Sequence, residues 1–192
     1  VFKLWFKQFS QPKKQMENIN QKTTMLQIQI SAFGDPSVLT PVEVPMPSLA
    51  ADEVRIRVNH AGLNFADIMQ RKGQFPGLGS LPFVPGMEVV GTVAEVGANV
   101  TTLTLGSRVI AKLASGGYAE IAVTSASQVR PVPDGLTDGE ALALGGTQGL
   151  TAYAVAAELG EPDGRPIFIS AGAGGVGSIL LQLCRERGWP VI

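Results

Sequence analysis

The sequence predicts an α+β/α/β chain, in which a small β-barrel precedes the first part of a doubly wound α/β fold. Short alternating segments between turn residues fill the region from 25 to about 135. Helical patterns take over from Thr137 onward. A glycine-rich turn at 172–177 then joins a short apolar segment to a further helical pattern.

The composition indicates a folded protein and excludes several classes. The 192 residues are 45% hydrophobic and 16% charged, which is too apolar for a disordered chain. The net charge of −1, without a basic stripe in the body of the chain, argues against nucleic-acid binding. One Cys and one His exclude an intramolecular disulfide and a Cys/His-rich zinc site. The uncharged windows 141–157 and 166–184 are too rich in small residues for membrane spans, so we expect a soluble, cytoplasmic protein.

The first 24 residues differ from the rest of the chain. They hold five Lys and one Glu, whereas all 23 Gly lie beyond them. Four aromatic residues follow helical spacing (Phe2, Trp5, Phe6 and Phe9), which is compatible with a membrane-surface or targeting helix. The segment lacks the apolar stretch and the cleavage site of a signal peptide. We therefore favour a disordered extension over 1–24.

The barrel region is predicted from strands and one helix. Residues 26–30 and 54–58 alternate between apolar and polar side chains, as half-buried strands do. A helix is expected over Asn64–Lys72. Further strands are predicted over Met87–Val96, Arg108–Leu113 and Tyr118–Val123.

The second region, from Thr137 onward, is predicted to form helices and short strands. Thr137 and Glu140 form a capping-box pattern, and the helix that they open is broken at Gly145–Gly146. The elements predicted beyond it are helix Gln148–Leu159, strand Pro166–Ser170, helix Val176–Arg187 and a strand that starts at Pro190.

These patterns divide the chain into three parts. We predict an extension over 1–24, a barrel domain over 25–140, and the start of a nucleotide-binding domain over 141–192. A doubly wound nucleotide fold has about six strands, and the sequence supplies two. The sequence therefore favours a fragment whose second domain is incomplete.

The glycine-rich turn matches the G-x-G-x-x-G fingerprint at Gly172, Gly174 and Gly177. We expect Gly172 to permit a tight turn, Gly174 to let backbone N–H groups approach a pyrophosphate, and Gly177 to let the helix pack on the strand. The predicted cofactor-binding set is Gly172, Ala173, Gly174, Gly175, Val176 and Gly177. The alternative is a glycine-rich turn without a ligand. The residue that separates NADPH from NADH would lie at or beyond Ile192, so both cofactors stay open.

Five blocks of sequence, in order, resemble the quinone oxidoreductase branch of the medium-chain dehydrogenase/reductase superfamily. This branch is zeta-crystallin-like, and the first two blocks resemble the VAT-1 homologue subgroup in particular. The blocks are Gly62–Gly73, Pro85–Glu88 with Gly91 and Val96–Gly97, Gly117–Glu120, Gln148–Tyr153 and Ala173–Gly177.

The resemblance implies a GroES-like barrel packed on a Rossmann domain, with the site between them. It also implies NADPH-dependent, zinc-independent reduction of a quinone or an α,β-unsaturated carbonyl by a full-length homodimer. Thr151 resembles the residue that meets the nicotinamide side of the cofactor, although a helical Thr also commonly bonds the preceding turn. One alternative is a non-catalytic NADPH-binding relative with a membrane-associated, vesicle-associated or structural role. Another is an enoyl reductase module of a larger synthase.

The zinc ligands of related alcohol dehydrogenases are missing here. Those enzymes place a Cys three residues before an Asp and a His just before a Glu, whereas this chain has Asn64 before Asp67 and Met87 before Glu88. Amide and thioether groups are poor substitutes for thiolate and imidazole on Zn²⁺, so we predict no zinc.

Asn64 and Asp67 are the candidate catalytic residues. Asn64 would orient the nicotinamide ribose or a substrate oxygen, or it caps the helix that follows, or both. Asp67 is alternatively structural and held by a nearby base. Glu88 is expected to be structural, and its burial requires a partner such as an Arg.

Overall fold

The computed structural model describes residues 22–76 and 80–192. The extension predicted over 1–24 lies outside the described residues except at 22–24, and Thr24 already belongs to a strand. Within the described part of the chain, no helix is long and apolar enough to cross a membrane.

Within residues 22–76 and 80–192, seven strands form two antiparallel sheets. The smaller sheet pairs β1 with β2, and the larger has the strand order β6-β3-β4-β5-β7. The strands are β1 (Thr24–Ile30), β2 (Leu39–Pro45), β3 (Glu53–Ala61), β4 (Glu88–Val96), β5 (Arg108–Lys112), β6 (Ile121–Ser125) and β7 (Val129–Pro131).

The larger sheet is buried on both faces at its centre. On one face, Val89 and Val93 of β4 pack in a core that also contains Val54 and Ile56 of β3. On the other face, Val90 packs in a second cluster with residues of β5 and of the first helix of the second region. Alternation with a period of two sends neighbouring valines to opposite faces, which explains why Val89 and Val90 are both fully buried.

The two sheets join into a curled, barrel-like layer. The N–H of Ile28 on β1 donates to the carbonyl of Tyr118 at 2.7 Å, and the N–H of Glu120 donates to the carbonyl of Leu26 at 2.9 Å. Ile30 forms a further bridge with Phe83. These bonds close the edge of the larger sheet beside β6, as a barrel requires.

Four α-helices are described. They are α1 (Phe65–Arg71), α2 (Asp138–Gly145), α3 (Thr147–Glu158) and α4 (Gly175–Glu186). The capping box at the start of α2 is formed, since Thr137 Oγ1 accepts from the N–H of Glu140 and the Glu140 carboxylate accepts from the N–H of Thr137. Gly146 ends α2 and begins α3, which confirms the predicted break.

The helices change packing partners at Gly146. Before it, Ala141 of α2 packs against the barrel sheet. After it, Ala152 and Ala156 of α3 pack against Leu180 and Cys184 of α4. The predicted order of a β-barrel followed by an α/β unit is confirmed, whereas the domain boundary near 140 stays a prediction.

Three local predictions differ from the structure. Strand β6 begins at Ile121 rather than at Tyr118, because Gly117 and Tyr118 instead bond to Gly86 and Pro85. The apolar segments at 166–170 and 190–192 are reduced to one parallel bridge, Ile167 with Val191. Strands β2 and β7 were not predicted, since both contain proline, which cannot donate a ladder bond.

Candidate functional site

Asn64 is the N-cap of α1 and is 8% exposed. Its N–H donates to Asp67 Oδ2 at 2.7 Å, so the acid in the first turn holds the start of the helix. Its side-chain Nδ2 donates to Glu88 Oε1 at 2.9 Å. Asn64 is therefore the N-cap residue of α1, and its side-chain amide donates to a second buried acid, Glu88.

Glu88 begins β4 and is 4% exposed. Besides Asn64, it bonds the first residue of α3: the N–H and Oγ1 of Thr147 donate to Oε2 at 2.5 Å and 2.6 Å. A buried carboxyl group is tolerated in such a place because three donors and the positive end of a helix offset its lost hydration. The expectation of an Arg partner was wrong, since amide and hydroxyl donors fill that role.

Two glycines leave the room that the Glu88 carboxylate occupies. A Cβ on Gly62 would overlap Oε1 and lie 2.5 Å from Cγ and 2.7 Å from Cδ of Glu88. A Cβ on Gly146 would lie 2.8 Å from Oε2. The chain thus encloses the carboxylate closely from the barrel side and from the α2–α3 junction.

Asp67 is 5% exposed and faces Tyr118. The Tyr118 hydroxyl donates to Asp67 Oδ2 at 3.2 Å, beside the N–H of Asn64. The other oxygen, Oδ1, is buried and has no hydrogen-bond partner among the described residues. Burial raises the pKa of the Asp67 carboxyl, although the bonds from Asn64 and Tyr118 oppose that rise. No base contacts this carboxylate in the described part of the chain, so the expectation that one holds it was wrong.

Tyr118, which was expected to start a strand, is a hydrogen-bond donor to Asp67. Burial, followed by the negative charge of Asp67 and the bond to it, raises the pKa of the Tyr118 hydroxyl above its ordinary value. The hydroxyl therefore stays protonated and serves as a donor. Tyr118 and Asp67 are 51 positions apart in sequence, and no sequence pattern joins them.

Thr151 lies on α3, one turn beyond Thr147, and is exposed. Its Oγ1 donates to the carbonyl of Thr147 at 2.6 Å, which is the backbone bond that a helical Thr commonly makes. The side chain lies on the same helix as the Glu88 partner. Its role toward the nicotinamide stays a prediction.

The glycine-rich turn opens α4 with exposed backbone. Gly174 is the N-cap, and the helix begins at Gly175. The first N–H groups of a helix have no intrahelical acceptor, so they form a donor-rich, positive end. Residues 173–175 are exposed, and none of them places a bulky side chain over that end.

Gly172 does not make the tight turn that was predicted for it. A Cβ on Gly177 would lie 2.9 Å from the Gly172 Cα and overlap the Ala171 carbonyl oxygen, so the first turn of α4 packs closely against the glycine turn rather than against the predicted strand. The residue with a left-handed backbone is Ala171, at φ 52°, not Gly172. A Cβ on Gly172 would meet only ordinary contacts, the nearest at 3.6 Å. The tight turn is thus made one residue earlier than expected.

Gln148 connects the turn to α3. A Cβ on Gly175 would overlap Oε1 of the Gln148 side chain and lie 3.0 Å from its Nε2. The Gln148 amide therefore lies directly against the first residue of α4. In the sequence, Gln148 is marked only by its place in the block Gln148–Tyr153.

The donor set favours an anionic organic ligand at the turn rather than a metal beside Asn64. Small residues and free helix-terminal N–H groups fit a pyrophosphate. Beside Asn64, the amide is bonded to Glu88, and Met87 Sδ accepts from Gln70 Nε2 at 3.7 Å. Residues 22–76 and 80–192 contain no group of three or more His, Cys, Asp or Glu side chains suited to a metal. The absence of zinc remains a prediction.

Comparison with known proteins gives a consistent class. Residues 50–134 match the alcohol dehydrogenase GroES-like domain. The chain is 35% identical over 153 residues to the synaptic vesicle membrane protein VAT-1 homolog of Danio rerio, covering 79% of this chain and 31% of that protein.

Solved structures agree. The human synaptic vesicle membrane protein VAT-1 homolog-like protein superposes with a TM-score of 0.81 at 32% identity, covering 88% of this chain and 54% of that one. The quinone oxidoreductase of Thermus thermophilus, solved also in complex with NADPH, gives 0.74 at 34% identity, covering 87% and 52%.

The fold, the glycine turn and these matches support a medium-chain dehydrogenase/reductase-like protein, similar to the quinone oxidoreductases and to the VAT-1 homologues. It spans about a third of the length of the first curated relatives that it matches, and about half of the solved structures.

Proposed function

We propose that the protein is an NADPH-dependent oxidoreductase that delivers a hydride to a quinone or an α,β-unsaturated carbonyl without zinc. The observation that carries the proposal is the exposed glycine turn at the start of α4, against which the Gln148 side chain of α3 lies. The relative from Thermus thermophilus, whose structure was solved with NADPH, supports this choice of cofactor. NADH is the alternative cofactor.

Residues 172–177 would hold the pyrophosphate through backbone N–H groups and the positive end of α4. The dinucleotide supplies the hydride when it is bound. The protein's own contribution is to orient the reacting groups and to stabilise the oxygen on which negative charge develops. Asn64 is proposed to orient the nicotinamide ribose or that oxygen, and Thr151 is proposed to line the nicotinamide side.

The surroundings of Asn64 support an apolar substrate. Its two neighbours in sequence are large, apolar and exposed: Leu63 is 60% exposed and Phe65 is 74% exposed. A quinone or an enone presents a flat apolar body and one or two carbonyl oxygens. Such a molecule could lie against these side chains while its oxygen meets a donor.

Asp67 is proposed to act on the site indirectly. It holds the N–H of Asn64 and the hydroxyl of Tyr118, and one of its oxygens lacks a partner among the described residues. With these contacts, Asp67 sets the start of α1 and hence the position of Asn64.

The test is turnover of the longest natural polypeptide that contains this chain. NADPH and NADH oxidation would be followed by the loss of reduced-nicotinamide absorbance with a quinone and with a small enone, in the presence and absence of a chelator. Turnover with NADPH that resists the chelator is expected. Loss of activity with the chelator would refute zinc independence.

A second candidate is favoured by the vesicle-protein names of several relatives. In that case the protein binds NADPH but does not reduce either substrate class. Saturable NADPH binding without turnover would select this candidate over the reductase.

A further inference from the structure

We infer that Glu88 is a positioning residue that fixes Asn64 relative to the glycine turn, using the first turn of α3 as a spacer. The inference deepens the proposed function and rests on it where it concerns the dinucleotide. Glu88 itself touches none of the proposed ligand positions.

A continuous path of contacts carries the inference. Asn64 Nδ2 bonds one oxygen of Glu88, and Thr147 bonds the other through its N–H and its hydroxyl. Gln148, the next residue on α3, lies against Gly175 at the start of α4. The candidate catalytic amide and the candidate phosphate turn are therefore separated by one carboxylate and two adjacent residues of α3.

The path crosses from the barrel to the second region. Asn64 and Glu88 belong to the barrel side, whereas Thr147 and Gln148 belong to the helix that packs on α4. A carboxylate that accepts from both sides joins them with charge-assisted bonds, which are shorter and stronger than neutral ones. Gly62 and Gly146 confine the carboxylate, so it has little freedom to swing away.

The chemistry of the carboxylate matters as well as its size. Every group that bonds to it is a donor: one amide N–H, one backbone N–H and one hydroxyl. A glutamine of the same shape has one acceptor oxygen and one NH₂ group, so it can satisfy Asn64 or Thr147 but not both. Glu88→Gln should therefore break the hydrogen bond to Asn64 or those to Thr147, while the volume of the side chain stays almost unchanged.

The experiment compares Glu88→Gln with Glu95→Gln, which removes the same charge from the same strand at its pairing with Arg55. Three quantities are measured: the NADPH dissociation constant by nicotinamide fluorescence, the thermal midpoint, and the NMR signals of the Asn64 side-chain amide. For Glu88→Gln we expect shifted Asn64 signals and a dissociation constant raised about tenfold, which corresponds to one unsatisfied buried donor. Glu95→Gln should change neither.

Thr147 provides a milder pair of variants. Thr147→Ser keeps the hydroxyl donor and should match the unmodified protein, whereas Thr147→Val removes it and should move NADPH binding and the Asn64 signals in the same direction as Glu88→Gln. This pair decides the inference if Glu88→Gln does not fold. A purely structural role would lower the thermal midpoint without separating Ser from Val in NADPH affinity.

The outcomes separate the two proposals. Unchanged Asn64 signals in both Glu88→Gln and Thr147→Val would overturn the inference, as would equal losses of NADPH affinity in Glu88→Gln and Glu95→Gln. If the unmodified protein binds no NADPH, the proposed function fails, and the Asn64 signals alone then decide whether Glu88 positions that amide.

Discussion

Replacing Gly62 by Ala tests how tightly the Glu88 carboxylate is enclosed. The added methyl group would lie 2.5 Å from Cγ and 2.7 Å from Cδ of Glu88, well inside ordinary van der Waals contact. Glu88 cannot retreat freely, because three donors hold its two oxygens. The protein must either shift the backbone, at about 1–3 kcal/mol, or lose a hydrogen bond to a buried charge, at about 1.5–3 kcal/mol.

We therefore expect Gly62→Ala to lower the free energy of unfolding by about 2–3 kcal/mol. Gly139→Ala is the control: it lies in α2, where a Cβ meets nothing within 4 Å, and should raise stability by up to about 1 kcal/mol through helix propensity. Urea unfolding, followed by circular dichroism, gives both values from the shift in midpoint at constant slope. If Gly62→Ala matched the unmodified protein while Gly139→Ala behaved as expected, the enclosure would be refuted.

Three further predictions concern stability. Burial holds the pKa of Asp67 above its ordinary 3.8, so stability falls as pH rises from 3.8 through the raised pKa, and Asp67→Asn should abolish that fall. Asp138 is the opposite case, because burial alone would raise its pKa but hydrogen bonds from Arg108 and Asn59 lower it. The stabilisation that the ionised Asp138 provides is therefore lost as pH falls below 3.8. Asp138→Asn should remove this pH dependence. Unfolding midpoints measured across a pH series from acid to neutral test both predictions. Equal pH dependence of the midpoint in Asp67→Asn and Asp138→Asn would contradict the opposite pKa shifts of the two carboxyl groups. Thr137→Ala should cost about 1 kcal/mol in urea unfolding and Thr137→Ser much less, whereas equal losses would exclude the capping box.

Local sequence signals predicted the helices well. Helix α1 was expected over Asn64–Lys72, and the structure begins and ends it within one residue of those caps. The capping box at Thr137 and the break at Gly146 were also confirmed. Caps are encoded by side chains a few residues apart, so a single sequence can reveal them.

Contacts between distant segments were not predictable in the same way. Glu88 bonds to Asn64 and to the N-terminus of α3. A backbone N–H group is present whatever the residue type, so the sequence could not identify it as a partner. The expectation of an Arg followed from charge alone, which ignores the helix end. The bond between Tyr118 and Asp67 likewise depends on the turn that brings Gly117 against Gly86.

The glycine motif shows both the strength and the limit of a pattern. The spacing correctly predicted a turn that opens a helix, whereas Gly177 packs against the turn itself and not against the predicted strand. The pattern gave no information on Ala171, which carries the left-handed backbone, or on Gln148, which lies against Gly175.

NADPH titration of the protein and of two variants at Gly174 tests the central claim most directly. Asp and Asn are both favoured N-caps, so Gly174→Asp and Gly174→Asn should both preserve the start of α4. Only Asp places a negative charge where the pyrophosphate is proposed to lie. We expect saturable NADPH binding that is weakened at least about tenfold more by Asp than by Asn, since like charges repel at close range. No binding by the unmodified protein, or equal binding by the two variants, would contradict it.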